Sequence, residues 1–245
     1  MSLLAVPAAA QDSEPTRYRV TLGAQVKPQF PGADDVKVQP MFDFDRARGD
    51  APFEFEAPDD SFGFNLVDGP FEFGPAVSMV SPRKAKDVGA AVPKVARTFE
   101  VGAYANLWLG ESFRLHSEVR KAVNGHDGWV ADGGADFVAR DGDKWLFSIG
   151  PRVTWADGKY HDAYYGVTPA TALATGLPAF DPGGGIESYG AAASADYAIT
   201  PRWGLAAYAK YDRLTGDAAG SPIVRAYGSR DQFSAGVGIS YAFGG

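Results

Sequence analysis

The sequence contains no cysteine, and none of its apolar runs approaches the about 20 residues that a membrane-spanning helix needs. The first absence excludes disulfide frameworks, thiolate metal sites and cysteine nucleophiles, and the second excludes a transmembrane helix. Basic residues are also in the minority, with 23 Lys and Arg against 30 Asp and Glu. The resulting net charge of −7 argues against a nucleic-acid partner, which would require a basic patch.

What the chain does have is aromatic residues (13%) and 30 glycines, a combination typical of many short strands joined by tight turns. From Tyr18 onward, apolar and polar residues alternate with a period of two, which predicts strands with one apolar face. The pattern indicates an all-β protein of about twelve strands. The predicted strands are 18–30, 36–45, 53–57, 62–67, 71–80, 98–109, 113–123, 129–139, 144–155, 186–198, 202–213 and 232–243.

The connections between these strands differ in length in a regular way. Every second connection has the composition of a tight turn, whereas several of the intervening connections are long. The short ones are 48–50, 68–70, 110–112, 141–143 and 200–202, and the long ones are 81–97, 156–185 and 214–231. Short turns at one end and long loops at the other are typical of barrels in the bacterial outer membrane.

Together, alternation and loop asymmetry predict a closed antiparallel transmembrane β-barrel. Closure follows because unpaired backbone groups cost several kcal/mol each in lipid, so strand 232–243 is expected to pair with strand 18–30. One alternative stays open within residues 53–67. If these residues form one bulged strand rather than a hairpin, the count becomes eleven and the even parity fails.

The first residues predict export across the inner membrane. Leu3 to Val6 resemble the tail of an apolar signal region, and Ala8 to Ala10 fit a small-residue cleavage site. We therefore expect residues 1–10 to be the remnant of a secretory signal peptide and residues 11–17 to be a short periplasmic tail. Residues 18–245 would then form the barrel.

Alternation also predicts which side chains face the inside and which rings mark the membrane boundaries. The polar faces supply a lumen charge network that consists of Arg114, His116, Glu118, Arg120, Asp132, Asp136, Arg152, Glu187, Lys210 and Asp212. Rings near both ends of the apolar faces predict an aromatic girdle at each interface. These rings are Trp145, Trp155, Tyr189, Tyr197, Trp203 and Tyr211.

The sequence offers no convincing catalytic, metal or cofactor site, and we expect the protein not to be an enzyme. His116 and Ser117 are adjacent on a strand, so they point to opposite faces and cannot form a nucleophile–base pair. His126 and His161 are too few for a metal centre, and we expect them to be solvated in loops. The basic stretch 83–86 is either a solvated charge run or a contact for lipopolysaccharide phosphates.

Several stretches resemble one known family. Residues 28–34, Pro-Gln-Phe-Pro-Gly-Ala-Asp, are similar to a P-x-Y-x-G-S/A-D segment, with Phe30 where Tyr is usual. Residues 164–167, Tyr-Tyr-Gly-Val, and the closing Gly-Ile-Ser-Tyr-Ala-Phe also match. The most specific stretch, residues 211–224, resembles Y-x-x-L-x-G-D-A-A-x-S-P-I/L-V. These landmarks are those of the MipA/OmpV family, and they run across residues 18–243.

This resemblance implies a barrel in the bacterial outer membrane, in contact with outer-membrane lipid and lipopolysaccharide. It further implies an envelope scaffold, the MltA-interacting protein, that links a murein lytic transglycosylase to a murein synthase. Members are also described as porin-like, as stress-response proteins or as adhesins, so a narrow channel for small solutes is the main alternative. The resemblance assigns no role to any single residue.

Overall fold

The computed structural model describes residues 14–245 and consists almost entirely of antiparallel strands. The strands are β1 (Thr16–Pro28), β2 (Val36–Arg48), β3 (Phe62–Gly63), β4 (Phe71–Val80), β5 (Thr98–Leu109), β6 (Phe113–Ala122), β7 (Trp129–Asp141), β8 (Trp145–Ala156), β9 (Gly185–Ala198), β10 (Trp203–Leu214) and β11 (Asp231–Gly244). Five short helices lie in the connections: α1 (Ala85–Val88), α2 (Gly158–Tyr165), α3 (Pro169–Thr175), α4 (Gly216–Gly220) and α5 (Pro222–Tyr227). No helix among these residues is long and apolar enough to cross a membrane.

All eleven strands belong to one sheet with the order β2-β1-β11-β10-β9-β8-β7-β6-β5-β4-β3. The predicted pairing of the first strand with the last is confirmed, since β1 and β11 run antiparallel with Arg17 opposite Gly244. The sheet curls into a half-barrel. Arg17 on β1 reaches Asp143 in the turn between β7 and β8, with 2.9 Å between Nη1 and Oδ2.

Residues 14–245 form eleven strands rather than the predicted twelve, and the sheet that these strands build is not closed. The two outermost strands, β2 and β3, are not hydrogen-bonded to each other in the described part of the chain. β3 is only two residues long, because residues 64–67 contact β4 through little more than the bridge between Val67 and Phe73. We call the opening between β2 and the β3–β4 edge the seam.

The strand predicted at 53–57 is the missing one. Residues 51–61 form no strand and instead lie inside the curled sheet, and we call them the lumen segment. Their burial alternates as in an extended chain, with Phe53, Phe55 and Ala57 buried. Alternation determines which side chains share a face. It does not determine whether the segment lies in the wall or inside the lumen, because a segment with one apolar and one polar face suits either place. The prediction that residues 53–57 form a wall strand was therefore wrong about their location.

The outer face of the sheet is apolar along every full strand. Large side chains such as Leu22, Phe42, Leu115 and Ile239 are 45 to 65% exposed there. Buried positions inside, in contrast, include Arg114, Glu118 and Asp136. The distribution is inside-out relative to a water-soluble protein, in which charged residues are almost never buried unless they are paired.

The two ends of the half-barrel differ as predicted. Tight turns join β5 to β6, β7 to β8 and β9 to β10 at one end, which we call the turn end. At the other end, the loop end, residues 81–97, 157–184 and 215–230 carry the helices. The start of β1 and the end of β11 lie side by side at the turn end. The predicted signal remnant at residues 1–10 lies outside the described residues.

Candidate functional site: the charged lumen and its cap

An ion-pair network fills the lumen around Asp136 on β7, whose side chain is fully buried. Arg114 donates from Nη2 to Asp136 Oδ2 at 2.8 Å, and Arg152 donates from Nη2 to Oδ1 at 2.7 Å. The strand period places all three inward on β6, β7 and β8, where the register sets Arg114 opposite Asp136. A buried carboxylate that accepts charge-assisted hydrogen bonds from two guanidinium groups is held in a fixed position, because each oxygen has its own buried donor.

The lumen segment is tied into this network by its two aspartates. Asp60 accepts from Arg114 Nη1 at 2.6 Å. Asp59 accepts from Arg152 Nε at 3.0 Å and lies 3.0 Å from Lys210 Nζ on β10. Residues 59 and 60 therefore bridge strands on different sides of the lumen, and the segment is held as an internal plug.

Aromatic contacts hold the first half of the lumen segment. The Phe55 ring packs edge-on against Trp108 of β5 at 6.1 Å, and the Arg114 guanidinium lies 4.8 Å from the same ring. Near the turn end, Arg17 and Arg19 lie 5.0 and 4.7 Å from the Phe53 ring. Such cation–π contacts are worth about 0.5–2 kcal/mol each, depending on desolvation.

A second group of charges surrounds Arg120 on β6. Its guanidinium contacts Glu100 at 2.8 Å, Asp132 at 2.6 Å and Glu118. His126, which we expected to be solvated, is buried and shares a 2.8 Å hydrogen bond with Glu100. Our expectation failed because the loop after β6 folds inward over the lumen rather than into solvent.

The structure brings most of the predicted network together and separates one member from it. His116 hydrogen-bonds to Asn106, at 2.7 Å, and its Nε2 lies 3.7 Å from Glu118. Lys210 contacts Asp212 at 3.2 Å. Glu187 lies apart at the loop end, where it accepts a hydrogen bond from the Tyr165 hydroxyl.

Sequence reasoning missed three members of the network. Glu100 could have been found, because Phe99 and Val101 face outward and the strand period puts the residue between them inside. Asp59 and Asp60 could not, because they were expected in a turn between two wall strands. Only the inward path of the lumen segment brings them to Arg152 and Arg114.

The loop end is covered by a packed cap. Buried residues from α2, α4, α5 and the end of β10 form one apolar cluster, which includes Tyr164, Tyr165, Leu214 and Val224. Arg83, 1% exposed, donates to the carbonyl groups of Tyr164 and Pro93, and so ties loop 81–97 to α2. Burial lowers the pKa of Arg83 to about 10. The stretch at 83–86 is therefore not uniformly a solvated charge run.

Local sequence signals explain why the cap helices begin where they do. Asp157 accepts from the Tyr160 amide at 3.0 Å, and Thr168 and Ser221 act in the same way ahead of α3 and α5. Pro169 and Pro222 occupy the first helical turns, where a missing N–H costs nothing. His161, expected to be solvated, is buried in α2, and this burial lowers its pKa.

The rings predicted as girdles all lie on the outer face, at two levels. Trp145 and Tyr197 are opposite each other near the turn end, and Trp203 packs against Tyr241 at 4.6 Å beside them. The other three predicted rings lie near the loop end: Trp155, Tyr189 and Tyr211. Between the two levels the outer faces of β8 to β10 carry mostly aliphatic and small residues, with Phe147 as an aromatic exception.

A curled antiparallel sheet that is apolar outside and charged inside defines the class of transmembrane β-barrel proteins. The family follows from comparison with known proteins. The chain belongs to the family described as MltA-interacting protein MipA, whose model matches residues 20–243. The motif at 211–224 maps onto the end of β10 and onto α4 and α5 of the cap.

Similar solved structures include an outer membrane channel from Pseudomonas putida F1, with 13% identity and a TM-score of 0.43, covering 98% of this chain and 100% of that chain. The outer membrane channel DcaP of Acinetobacter baumannii has 7% identity and a TM-score of 0.40, covering 98% and 100%. The KdgM porin has 9% identity and a TM-score of 0.39, covering 94% and 99%. No curated protein matches this chain.

The described residues contain no cluster of His, Cys, Asp or Glu arranged to hold a metal ion. His116 and Glu118 face the lumen with half-buried or buried side chains, whereas Ser117 faces outward and is exposed. This arrangement follows the strand period, and it keeps the serine hydroxyl on the opposite side of the sheet from the imidazole.

Proposed function

We propose that this protein is a bacterial outer-membrane barrel that acts as an envelope scaffold rather than as an enzyme. The single observation that carries the proposal is a lumen filled with ion-paired side chains, inside a wall that is apolar outside. Such a molecule can anchor a surface at the membrane, whereas the described conformation leaves little free passage.

The proposed placement in the membrane has the short turns, the start of β1 and the end of β11 facing the periplasm. The cap then faces outward, where exposed basic residues such as Lys84 and Lys86 would contact lipopolysaccharide phosphates. In lipid we expect the wall to be closed by twelve strands, because a free sheet edge is costly there. The predicted signal peptide provides export to this location.

The family description supports the choice of partners. MltA-interacting protein names an interaction, and we propose that the partners are a murein lytic transglycosylase and a murein synthase. A membrane-fixed rim that holds two soluble domains side by side raises the effective concentration of each for the other. The surface offered to them is the turn end, where Arg46 and Arg48 of β2 are exposed.

A pull-down from solubilised envelopes tests this role. The tagged protein should enrich murein hydrolases and synthases relative to an unrelated barrel of similar size. A variant with altered turns at 110–112 and 141–143 should lose the enrichment, while a variant altered in the cap at 169–175 should keep it. Equal recovery by the unrelated barrel would remove the support for a scaffold.

A narrow channel for small solutes is the second candidate function. Two cavities favour it, of about 510 and about 260 Å³, which lie between the lumen segment and the inner faces of β1, β2, β9 and β10. Conductance in planar bilayers separates the two candidates. Protein held in the conformation described here should give no defined steps, because the lumen segment and the cap obstruct the passage.

A further inference from the structure

The two strands that border the seam run in the same direction. The sheet contains ten antiparallel pairings between β2 and β3, so the direction reverses ten times from one edge to the other. β2 and β3 are therefore parallel to each other and cannot close the sheet with an antiparallel ladder. A single strand of opposite direction would pair antiparallel with both and would complete a ring of twelve strands.

The lumen segment has the direction that the seam requires. It leads from the end of β2 at Arg48 to the start of β3 at Phe62, so it runs opposite to both strands. It also has the right faces for a wall strand, because Phe53, Phe55 and Ala57 lie on one side and Glu54 and Glu56 on the other. In the seam, the first group would face lipid and the two glutamates would face the lumen.

Turns already bracket the segment at both ends. Ala51 donates its amide to the Arg48 carbonyl at 3.1 Å, and Gly49 has a φ of 54°, which glycine adopts readily. At the other end, the amide of Asp60 donates to the carbonyl of Ala57 at 3.0 Å. A swing about these two turns would move residues 53–57 between lumen and wall while Asp59 and Asp60 keep their ion pairs.

We propose that residues 53–57 have a second position, in which they occupy the seam as a twelfth strand and open the lumen to small cations. In the lumen position their apolar face packs on Trp108 and Arg114, and in the seam that face meets lipid. The seam position also supplies hydrogen-bond partners for the free backbone groups of β2, which lipid cannot supply. The lumen position thus keeps the apolar face packed against protein. The seam position instead pairs the backbone groups of β2.

The charge of the vacated space sets the class of solute. Asp43, Glu56 and Asp196 line the same cavity of about 260 Å³, and none of them forms an ion pair within residues 14–245. Lys27 also lines this cavity, so these three carboxylates outnumber the one ammonium group there. With residues 53–57 in the wall, Glu54 and Glu56 would still face the lumen beside them. Carboxylates along a narrow passage select cations over anions.

Spin labelling in phospholipid bilayers tests where residue 55 lies, and the absence of native cysteine makes single-site labelling clean. The variants are Phe55→Cys and Glu54→Cys, with Phe137→Cys as an outward-facing wall reference. We expect a label at 55 to be accessible to oxygen dissolved in lipid, as at 137, and a label at 54 to be accessible to a water-soluble relaxation agent. A label at 55 that stays shielded from oxygen overturns the proposal.

Cross-linking tests whether the movement controls passage, and it leaves the scaffold proposal untouched. Phe55→Cys with Trp108→Cys, joined by a short bis-methanethiosulfonate reagent that forms one disulfide with each thiol and releases sulfinate, holds the segment in the lumen. The matched control joins Ser148→Cys to Ser194→Cys, whose native hydroxyl oxygens are 2.7 Å apart on β8 and β9. This second cross-link also lies in the lumen, but it does not restrain residues 53–57.

The expected result is cation-selective conductance steps that disappear in the 55–108 cross-linked protein and return on reduction. The 148–194 cross-link should leave the steps within about twofold of its reduced form, a difference of about 0.4 kcal/mol. Equal conductance of the 55–108 protein before and after reduction would overturn the proposal, as would steps with anion selectivity. The pull-down of murein enzymes decides the scaffold role separately.

Discussion

The regular part of the wall and the seam region carry the same alternating pattern but use it differently. From β8 through β11 to β1, strands of 12 to 14 residues pair along their full length. Between β2 and β4 the same alternation yields a segment inside the lumen and a strand of two residues. An alternating pattern therefore specifies two faces, whereas neighbours on both sides decide whether the segment becomes wall.

The seam region differs from the regular wall in how its charges are distributed. Glu54 and Glu56 lie next to Phe53 and Phe55, and Asp59 and Asp60 follow within a few residues. Asp60 and Asp59 form ion pairs with Arg114 on β6 and Arg152 on β8. In contrast, β9 to β11 carry small inward residues such as Ala192 and Gly238. The attraction between lumen arginines and these aspartates draws the segment inward.

The largest loss of stability should come from removing the carboxylate of Asp136, because both of its arginine partners also bind the lumen segment. We expect Asp136→Ala to lower the free energy of unfolding by about 3–5 kcal/mol, because Arg114 and Arg152 lose a buried counter-charge. Urea unfolding in lipid vesicles, followed by tryptophan fluorescence, measures it. Asp141→Ala, at an exposed turn, is the control and should change stability by no more than about 0.5 kcal/mol. A loss below about 1 kcal/mol for Asp136→Ala would mean that the network does not hold the lumen together.

The outer face of the regular wall should give the next largest effect. Ile239→Lys places a charge in the middle of β11, and the cost should be about 2–4 kcal/mol if this level lies at the centre of a bilayer. Val36→Lys, at the loop end of β2, should cost about 0–1 kcal/mol. Equal costs for the two variants in the same unfolding measurement would show that the outer face does not cross a bilayer.

The smallest expected effect is a pH dependence of the stability of the cap, which belongs to neither the regular wall nor the seam region. Because burial lowers the pKa of His161, stability is fully present above the unfolded pKa of about 6.5 and is lost as pH falls toward the lowered folded value. Hydrogen exchange of residues 158–175, expressed relative to the intrinsic exchange rate at the same pH, should accelerate by at most about tenfold per pH unit below pH 6.5. A His161→Gln variant should lack this acceleration, and an unchanged pH profile in that variant would assign it to another group.

Much of the candidate site could be predicted because strand geometry is local. A period of two is enough to place Arg114, Asp136 and Arg152 on the inner face, where they form ion pairs. The same period could have placed Glu100. The positions of His126 and His161 could not be predicted, because their burial depends on how separate loops pack into one cap.

The sequence alone determined the strand pattern, the apolar outer face, the turn and loop ends and the pairing of the first strand with the last. Each follows from interactions between residues that are close in the chain, or from the need to satisfy every backbone group in a sheet. The tertiary structure decided that residues 51–61 lie inside, that the seam is open and that the loops form a cap. These features depend on contacts between residues that are distant in the chain, such as Asp59 with Arg152 and Lys210. A local pattern of apolar and polar residues cannot show whether such contacts are more favourable than a position in the wall.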